Sequence, residues 1–407
     1  MLDLARIRAD FPGLNAYVGS HPLIYCDSAA TAATPIPVVA AMNAYYLRYC
    51  ANVHRGVHPL AQIATERYEA AREIARRFLG AADRREVVFC RGTTEGINLV
   101  AQTYGRQQVR RGDVVVITEM EHHSNIVPWQ MLCRDKGAVL RVIPMGSSGI
   151  VDLQRVEDAL RRPRTRLLAV TWVSNALGTC NPIHEIVQIA HRRGVPVLVD
   201  AAQAAPHLPI DVQAMGVDWL VLSGHKVYGP TGIGVLYGRL PLLSSMPAWQ
   251  GGGDMVRDVQ LHRSECHAPP AKFEAGTPHI AGAIGLAAAF DYLTGIGWPS
   301  VVAHERLLVQ RAEEGFSRLS GVRVLPPRAV RVGLVSIALD RYHCDDIAQA
   351  MSNAGIAIRS GHHCARLVCD RLCVPGTARF SFGLYNTVEE VDACVQAVGQ
   401  LVSRRAA

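Results

Sequence analysis

The sequence predicts an α/β protein in which a large domain with a mainly parallel sheet is followed by a smaller α+β domain. Short apolar segments alternate with amphipathic helical segments through the first two thirds of the chain, and the pattern changes after Leu319. The chain has 407 residues, of which 49% are hydrophobic. Because a single core stops growing at roughly 250–300 residues, a chain of this length is expected to form two domains.

Five apolar runs predict the strands of the large domain: Val87–Phe89, Val114–Thr118, Leu167–Trp172, Val195–Val199 and Leu220–Leu222. Amphipathic segments such as Leu153–Arg161 and Ile183–Arg193 lie between them and predict helices. Continuous apolar strands that alternate with helices are typical of parallel sheets covered on both faces. The segment Gly232–Tyr237 follows a Gly/Pro turn and predicts a further, antiparallel strand.

The last third of the chain has a different pattern. The stretch Ser244–Gly276 is rich in Gly and Pro and predicts irregular structure, and an Ala-rich helix is expected from Ala283. Strand-like and helix-like segments then alternate: Val322–Leu325, Leu334–Leu339 and Thr377–Phe382 as strands, Asp345–Ala354 and Val388–Val402 as helices. We therefore expect three parts: residues 1–25 packing on both domains, a large domain over 26–290 and a small domain over 291–407.

Charge and cysteine content limit the function classes. The net charge is +7, and basic residues form short clusters (Arg84–Arg85, Arg161–Arg162, Arg404–Arg405), so nucleic-acid binding is not indicated, whereas an anionic cofactor or an acidic partner fits. No apolar run approaches the roughly 20 residues of a membrane span, and the first residues lack a signal-peptide core. The eleven scattered cysteines indicate reduced thiols, one of them reactive. We expect a soluble cytoplasmic protein.

Two polar residues follow predicted strands of the large domain. Lys226 lies in Ser223-Gly-His-Lys-Val-Tyr-Gly-Pro230, and Asp200 ends an apolar strand. Ligands of α/β proteins bind at the carboxyl ends of such strands. A solvated lysine and a helix-capping aspartate are the alternatives. Together, a Schiff-base lysine and a carboxylate that pairs with a pyridinium nitrogen are typical of pyridoxal phosphate sites.

Two further motifs lie between a predicted strand and a helix. Arg91-Gly-Thr-Thr-Glu-Gly96 offers hydroxyls and helix N–H groups to a phosphate, although an ordinary helix start has the same composition. Glu121-His-His-Ser-Asn125 contains a histidine pair, which could bind a metal. No second ligand cluster has zinc spacing, so an imidazole that stacks on a planar cofactor is the better interpretation, and no metal is expected.

The C-terminal domain contributes a cysteine and an arginine. Cys364 follows Ile358-Arg-Ser-Gly-His-His363, a polar and potentially cationic loop that favours the nucleophilic thiolate. Cys364, Cys369 and Cys373 match a closed zinc site poorly. Arg379 lies within a strand-like run, where a substrate carboxylate or a structural ion pair would satisfy its charge.

The chain resembles the group II cysteine desulfurases, the SufS/CsdA type of the class V aminotransferase superfamily with fold type I, over nearly its whole length. The matching strings are Arg8-Ala-Asp-Phe-Pro12, Asp27-Ser-Ala-Ala30, Asn52–His58, Thr93–Thr94, Glu121–Gln130, Phe273–Pro278, Arg359–Cys364 and Leu384–Thr387. The resemblance implies a large domain with a seven-stranded sheet that binds pyridoxal 5'-phosphate (PLP), a homodimer, and conversion of L-cysteine to L-alanine. It also implies that a persulfide forms on Cys364. The persulfide sulfur would then pass to an acceptor protein of the SufE/SufU type, for iron–sulfur cluster assembly or another sulfur transfer.

The resemblance also implies a role for each candidate residue. Lys226 would carry the cofactor covalently and move protons, while His122 would stack on its ring. The other cofactor contacts would be Asp200 with the pyridine nitrogen, Gln203 with the ring oxygen, and Thr93, Thr94, Ser223, His225 and the other subunit's Thr277 with the phosphate. Asn175 and Arg379 would hold the substrate carboxylate, and Arg359 would support the site near the cysteine loop.

Three alternatives remain open on the sequence, and the third, a metal-binding module, would be tested by elemental analysis. A selenocysteine lyase, or another class V PLP-dependent lyase acting at Cβ, would share Lys226 and Asp200, and L-selenocysteine could then be the substrate. A non-catalytic sulfur carrier or scaffold would need only the exposed Cys364. Dependence of sulfur release on Cys364 separates the first alternative from a desulfurase, and a colourless protein that gains no absorbance with PLP would favour the second.

Overall fold

The computed structural model describes residues 2–327 and 329–403, so the basic pair Arg404–Arg405 lies outside the described residues. The strands are β1 Tyr17–Val18, β2 His21–Pro22, β3 Ile24–Tyr25, β4 Val87–Cys90, β5 Val114–Thr118, β6 Val139–Ile143, β7 Thr165–Thr171, β8 Val197–Asp200, β9 Trp219–Ser223, β10 Gly234–Gly238, β11 Val256–Gln260, β12 Arg263–Cys266, β13 Val322–Leu325, β14 Leu334–Leu339, β15 Ile356–Ala357, β16 Arg359–Gly361 and β17 Thr377–Ser381.

The α-helices alternate with these strands. They are α1 Leu4–Ala9, α2 Ile36–Arg48, α3 Pro59–Leu79, α4 Thr93–Val100, α5 Arg106–Gln108, α6 Val127–Lys136, α7 Leu153–Leu160, α8 Ile183–His191, α9 Val212–Met215, α10 Leu240–Ser245, α11 Ile280–Ile296, α12 Trp298–Ser317, α13 Cys344–Asn353, α14 Arg366–Arg371 and α15 Val388–Ser403.

A seven-stranded sheet forms the centre of the large domain. Its strand order is β4-β10-β9-β8-β7-β5-β6, and only β10 runs antiparallel to its neighbours. The predicted mainly parallel sheet and the predicted antiparallel strand are therefore confirmed. The connection from β9 to β10 has ten residues, 224–233, which is fewer than the dozen or more that a parallel connection needs, so β10 returns antiparallel.

The central strands are buried on both faces, as their continuous apolar sequences predict. Every residue of β4, β5, β8 and β9 is buried. One apolar cluster on the sheet includes Leu220 and Leu222, and a second includes Trp219 and Val221, so alternate residues of β9 point to opposite faces. Helices cover both faces, which leaves the strand ends as the accessible edges of the sheet.

A four-stranded antiparallel sheet of order β13-β14-β17-β16 forms the C-terminal part of the chain. It has its own apolar core, in which the rings of Phe316 on α12 and Phe380 on β17 are 4.8 Å apart. The helices α13 and α15 pack on the same core through Ile347 and Val398. This arrangement places β16, β17 and the loop after β16 beside the large sheet.

The N-terminal segment contacts both parts of the structure. The ring of Phe11 packs 6.0 Å from Tyr228 of the large domain and 4.9 Å from Tyr385 of the C-terminal part. β3 pairs in parallel with β15, and Asp27, two residues after β3, forms an isolated parallel bridge with Ser381 of β17. Residues directly after β3 are thereby held at the junction.

Two local expectations are corrected. The segment Ser244–Gly276 is not wholly irregular, because β11 and β12 form an exposed antiparallel hairpin within it. The Ala-rich helix begins at Ile280 rather than Ala283. Among the described residues, no single helix has the length and apolar composition to cross a bilayer; α11 and α12 pass that test only as a pair, bent by 82° at the break between them.

Candidate active site

A cavity of about 420 Å³ opens where several strands of the large sheet end. Thr171 ends β7, Asp200 ends β8 and Ser223 ends β9, and all three side chains line the cavity. Parallel strands present their carboxyl ends at one edge, so residues far apart in sequence converge there. The C-terminal part also lines the cavity, through Arg359, Ser360, His363, Cys364 and Arg379.

The structure brings together all of the candidate residues except Thr277. The cavity is lined by Thr93, Thr94, His122, Asn175, Asp200, Gln203, Ser223, His225, Lys226, Arg359, Cys364 and Arg379. Lys226 and Cys364, which carry the predicted chemistry, therefore share one cavity. Thr277 instead lies at an exposed surface groove, where the Nδ2 of Asn52 is 3.4 Å from its hydroxyl.

Lys226 and Asp200 both line the cavity, and their charges influence each other. Burial lowers the pKa of Lys226 to about 8, although the negative charge of Asp200 opposes this. Asp200 is 4% exposed, and its Oδ1 accepts a hydrogen bond from the backbone N–H of Ala202 at 2.9 Å. Burial raises the pKa of Asp200. The amine of Lys226 thus gains and loses protons close to neutral pH.

The turn before α4 offers several donors to an anion. The hydroxyl of Ser223 accepts from the backbone N–H of Thr93 at 2.9 Å and donates to the Thr93 hydroxyl at 2.9 Å. Gly92 has a φ of 150°, which L side chains rarely adopt. A Cβ on Gly234 of β10 would lie 2.6 Å from the Cα of Gly92, so the two glycines allow the turn to pack against the sheet. The N-terminus of α4, flanked by hydroxyls, suits a phosphate group.

His122 and His123 have different environments. His122 lines the cavity, whereas His123 is exposed outside it. Burial, with the nearby charge of Lys226, lowers the pKa of His122 to about 4, so the ring is neutral at pH 7. Its Nδ1 accepts from the backbone N–H of Ser124 at 3.1 Å, which assigns the proton to Nε2. The preference for His122 over His123 agrees with this placement.

A buried glutamate holds the loop that carries His122. Glu121 is fully buried and accepts hydrogen bonds from the Thr118 hydroxyl, the Thr171 N–H and the Asn125 side chain at 2.6, 2.9 and 2.6 Å. The Oδ1 of Asn125 accepts in turn from the indole of Trp129 at 2.9 Å. This network connects the end of β5 to the end of β7 and fixes the loop beneath the cavity.

The loop with Cys364 is held in an unusual conformation. His363 and Cys364 have φ values of 52° and 55°, in the left-handed region that non-glycine residues seldom occupy. The backbone oxygen of Cys364 accepts from the N–H of His123 at 2.7 Å, and the Nε2 of His363 lies 2.8 Å from the Thr377 hydroxyl. The side chain of Cys364 remains exposed. Hydrogen bonds therefore hold the loop at His363 and at the backbone of Cys364, while the Cys364 side chain lines the cavity and is exposed to solvent.

The expectation of a cationic histidine beside Cys364 is wrong for His363. Burial, with the positive charge of Arg379, lowers the pKa of His363 to about 3, so this imidazole is neutral at pH 7. Positive charge near the thiol is supplied instead by Arg359 and Arg379, which line the same cavity.

Arg379 is held by two partners. Its Nη1 donates to the backbone oxygen of Asn175 at 2.9 Å, and its Nη2 donates to the Oδ1 of Asp27 at 3.1 Å. Burial lowers the pKa of Arg379 to about 10, and Asp27 opposes this, so the guanidinium stays charged at neutral pH. The other carboxylate oxygen of Asp27 accepts from Arg359 at 3.1 Å.

Three buried polar atoms of cavity residues lack a hydrogen-bond partner within the described residues. They are the Oε1 of Gln203, the Nε of Arg379 and the Nδ1 of His363. Buried polar groups are normally hydrogen-bonded, so unpaired atoms around one cavity indicate a polar ligand.

One cluster of potential metal ligands lies elsewhere. Within residues 2–327 and 329–403, His343, Cys344 and Asp345 bring one ligand atom each within 4.8 Å. They are consecutive, and the His343 side chain already caps the N-terminus of α13. In the part of the chain that the structure describes, the thiols of Cys364, Cys369 and Cys373 do not form a cluster within 4.8 Å of one another.

Asp27 is the residue whose role the sequence analysis missed. The motif Asp27-Ser-Ala-Ala30 contributes to the family resemblance, but it predicts no role for Asp27, because nothing near Asp27 in sequence marks it as an arginine partner. Arg379, which pairs with it, is 352 positions away. The sequence did contain one indication of such a partner. Two arginines, Arg359 and Arg379, are expected at one site, and they require a nearby carboxylate unless the substrate alone neutralises both charges.

The chain is similar to known proteins over nearly its whole length. Residues 24–394 match the family described as "Aminotransferase class-V". The cysteine desulfurase of Klebsiella pneumoniae (strain 342) is 49% identical over 397 residues, 97% of each chain. The probable cysteine desulfurase 1 of Mycobacterium leprae is 46% identical over 401 residues, and the chain spans 98% of its own length but 66% of that protein.

The solved structures agree with the sequence relatives. The apo structure of a cysteine desulfurase from Thermococcus onnurineus NA1 superposes with a TM-score of 0.94 at 41% identity, covering 99% of both chains. The α/β fold with its seven-stranded sheet is therefore that of PLP enzymes of fold type I. The chain belongs to the class V aminotransferase family and, within it, to the PLP-dependent cysteine desulfurases.

Proposed function

We propose that this chain converts L-cysteine to L-alanine and keeps the sulfur atom as a persulfide on Cys364. The observation that supports the proposal is that Lys226 and Cys364 line one cavity together with Asp200 and Arg379. In the overall reaction the C–S bond of L-cysteine breaks, an S–S bond forms at Cys364, and the thiol proton of the enzyme ends on the alanine product.

The residues of the cavity fit PLP. The Oε1 of Gln203 is buried without a hydrogen-bond partner and could be satisfied by a polar group of the cofactor. The helix N-terminus at Thr93, in the same cavity, could bind an anion such as its phosphate. Thr93, Thr94, Ser223 and His225 would hold the phosphate, Asp200 the pyridine nitrogen and His122 the ring face, with Lys226 as the covalent anchor. When bound, PLP acts as an electron sink for negative charge at the substrate Cα.

The protein supplies the proton transfers and the positioning. The amine of Lys226, with a pKa near 8, can accept a proton from the substrate Cα and return one, because a general base works best when its pKa is close to the working pH. The unpaired Nε of Arg379 and the side chain of Asn175, whose Nδ2 also donates to the backbone oxygen of His363, would hold the substrate carboxylate.

Cys364 would act as the nucleophile toward the substrate sulfur. A thiolate is the reactive form of a cysteine, and the positively charged side chains of Arg359 and Arg379 line the same cavity as Cys364. The thiol is exposed at the mouth of the cavity, so a persulfide formed there would be accessible to a second protein. We therefore propose transfer to an acceptor of the SufE/SufU type that serves iron–sulfur cluster assembly or another sulfur pathway.

The test measures alanine and sulfide formed from L-cysteine in the presence of a thiol reductant, which releases the persulfide sulfur as sulfide, for Cys364→Ala, Lys226→Ala and a matched control. Cys373→Ala is the control, because Cys373 is also exposed, lies nine positions from Cys364 and does not line the cavity. We expect Cys364→Ala to keep the yellow cofactor absorbance but lose desulfuration, Lys226→Ala to lose that absorbance, and Cys373→Ala to keep both.

Other outcomes identify the alternatives. Full sulfide release by Cys364→Ala would reject the persulfide. Activity with L-selenocysteine but not L-cysteine would favour a selenocysteine lyase. A colourless protein that gains no absorbance with PLP would favour a sulfur carrier.

We also propose a homodimer in which Thr277 reaches the phosphate bound by the other subunit. One support is that Thr277 lies outside its own chain's cavity. A second is that Asn52, whose side chain contacts Thr277, lies in sequence between the exposed apolar side chains of Leu47 and Val57, which offer contact area for a second subunit. Sedimentation of a fully active monomer would contradict it.

The eleven free cysteines support a reducing compartment, and we propose the cytoplasm.

A further inference from the structure

Glu121 is a buried carboxyl group that the proposed reaction does not use, and it lies directly before His122. Its side chain is fully buried and does not line the cavity. Its Oε1 accepts from the Thr118 hydroxyl at 2.6 Å and from the Thr171 N–H at 2.9 Å, and its Oε2 accepts from the Nδ2 of Asn125 at 2.6 Å. A buried carboxyl group is costly unless such donors surround it.

The directions of these hydrogen bonds are fixed by groups that can only donate. An indole N–H and a backbone N–H have no acceptor capacity. Trp129 donates to the Oδ1 of Asn125 at 2.9 Å, so the Nδ2 of Asn125 faces Glu121. The N–H of Thr171 faces the other oxygen of Glu121. Burial raises the pKa of Glu121, and these hydrogen bonds oppose that effect. Position 121 therefore requires an acceptor on both sides.

The network encloses His122. Glu121 precedes His122 and Asn125 follows it by three positions, so the bond between their side chains closes the loop around His122. Trp129 is fully buried in the apolar core on one face of the sheet and anchors Asn125 there. Thr171, whose side chain lines the cavity, is joined to the same carboxyl group through its N–H. The main chain of His122 is therefore fixed on both sides relative to the cavity wall.

We propose that Glu121 is a positioning residue that holds the His122 ring against the face of the cofactor, by fixing the loop on both sides of His122. This inference rests on the proposed function, because it assumes that PLP binds in the cavity beside His122. Glu121 is buried outside the cavity, so it touches neither substrate nor cofactor and acts through His122. Its loss frees the loop, and the ring is then no longer held over the cofactor.

The test follows the cofactor of the holoenzyme in two ways. The visible circular dichroism band of bound PLP depends on a fixed asymmetric environment, and dialysis gives the rate at which PLP is lost. Glu121→Gln keeps the size of the side chain but brings an NH2 group into a position that requires two acceptors. In either orientation of the new amide, two buried donors face each other. We expect the band to weaken and PLP to be lost about tenfold faster or more, the scale of one unsatisfied buried donor.

A double variant restores the acceptors without restoring the original residues. In Glu121→Gln combined with Asn125→Asp, the amide oxygen at position 121 accepts from Thr118 and Thr171. The NH2 group there donates to the carboxylate at position 125, which accepts from Trp129 as in the wild type. Every buried donor again has a partner, so the band should return and the rate of PLP loss should lie within about threefold of the wild-type rate.

Glu305→Gln is the matched control. Glu305 is also buried, at 2% exposure, and its Oε2 lies 2.8 Å from the Nδ1 of His207; like Glu121, it does not line the cavity. This variant shows what loss of a buried carboxyl group does to the fold, and its cofactor band and rate of PLP loss should equal those of the wild type. Asn125→Ala removes the contact with Glu121 from the other side of His122 and does not depend on the folding of Glu121→Gln. It should also weaken the band and speed the loss of PLP.

Three results would overturn the inference. The first is wild-type cofactor behaviour in Glu121→Gln or in Asn125→Ala. The second is an equal defect in Glu121→Gln and in the double variant. The third is a lower melting temperature with an unchanged cofactor band, which would show a merely structural role.

The two proposals fail in distinguishable ways. If the wild type binds PLP and forms alanine from L-cysteine while the variants keep the cofactor band, only the role of Glu121 is overturned. If the wild type binds PLP but forms no alanine, the proposed function is overturned, and the cofactor readouts still decide the role of Glu121. If the wild type binds no PLP, both proposals are overturned.

Discussion

Removal of one partner of the buried ion pair between Arg72 and Glu274 is expected to be among the most destabilising single substitutions in this protein. The two side chains are 3% and 10% exposed, and two parallel hydrogen bonds of 2.7 and 2.9 Å join them. Glu274 also accepts from the backbone N–H of Phe89 at 2.7 Å and from the hydroxyl of Tyr68 at 3.0 Å. The pair thus ties α3 and β4 to the segment that leads to Thr277.

Replacement by Glu274→Ala removes the bidentate partner of the buried Arg72 guanidinium and leaves it only the partly exposed Glu69, at 3.3 Å, as a carboxylate partner. Breaking a buried pair in this way costs about 3–5 kcal/mol. Unfolding entropy of about 2.1 cal/mol/K per residue gives roughly 0.85 kcal/mol/K for 407 residues, so the melting temperature should fall by about 4–6 °C. Arg72→Met combined with Glu274→Leu removes both charges and should cost less than Glu274→Ala alone.

The assay is thermal unfolding followed by circular dichroism, with Asp392→Ala as the control. Asp392 makes the same kind of paired contact with Arg311, at 2.6 and 3.0 Å, but both side chains are about half exposed. Exposed pairs contribute about 0–1 kcal/mol, so the control should melt within about 1 °C of the wild type. The reasoning is refuted if Glu274→Ala melts no lower than Asp392→Ala.

Three further predictions concern the cavity. Gly234→Ala should weaken PLP binding at least tenfold in a fluorescence titration, because its Cβ would lie 2.6 Å from the Cα of Gly92 and displace the phosphate turn; unchanged affinity would contradict this. The pKa of His363 is lowered to about 3 in the folded protein, so the unfolded chain binds the extra proton below its ordinary pKa of about 6.5 and stability falls as the pH drops from there toward 3. His363→Asn should flatten that decline in denaturant titrations at pH 5 and 7, and an unaltered slope would exclude the effect. Arg379→Lys should raise the KM for L-cysteine about tenfold or more with a smaller change in kcat, since lysine lacks the fork; equal loss in both parameters would argue against carboxylate binding.

The sequence alone was sufficient for the type and order of the main elements. The runs Val114–Thr118 and Val322–Leu325 match β5 and β13, because continuous or alternating apolar residues are local properties that the chain displays before it folds. The reversed direction of β10 also followed from a local feature, the ten-residue connection with a Gly/Pro turn before it. The hairpin β11–β12 was missed because its side chains are mostly exposed and give no apolar alternation.

The candidate site was predicted residue by residue, but its connections were not. Strand-end positions located Asp200 and Lys226 at one edge of a sheet, and the family resemblance supplied their roles. The neutral state of His363 was not foreseen, because burial beside Arg379 depends on how β16 and β17 pack. The position of Thr277 outside its own cavity likewise follows from the path of a segment without regular local pattern.

What the sequence by itself determined is the chemistry available to this protein: a lysine and an aspartate after buried strands, a phosphate-binding turn and a cysteine in a polar loop. What only the tertiary structure decided is how those groups are charged and paired. Asp27 reaches Arg379 across 352 positions, and Glu121 reaches the N–H of Thr171 across 50. Such contacts depend on the packing of whole elements, and burial then sets the pKa values, so neither can be obtained from patterns that extend over a few residues.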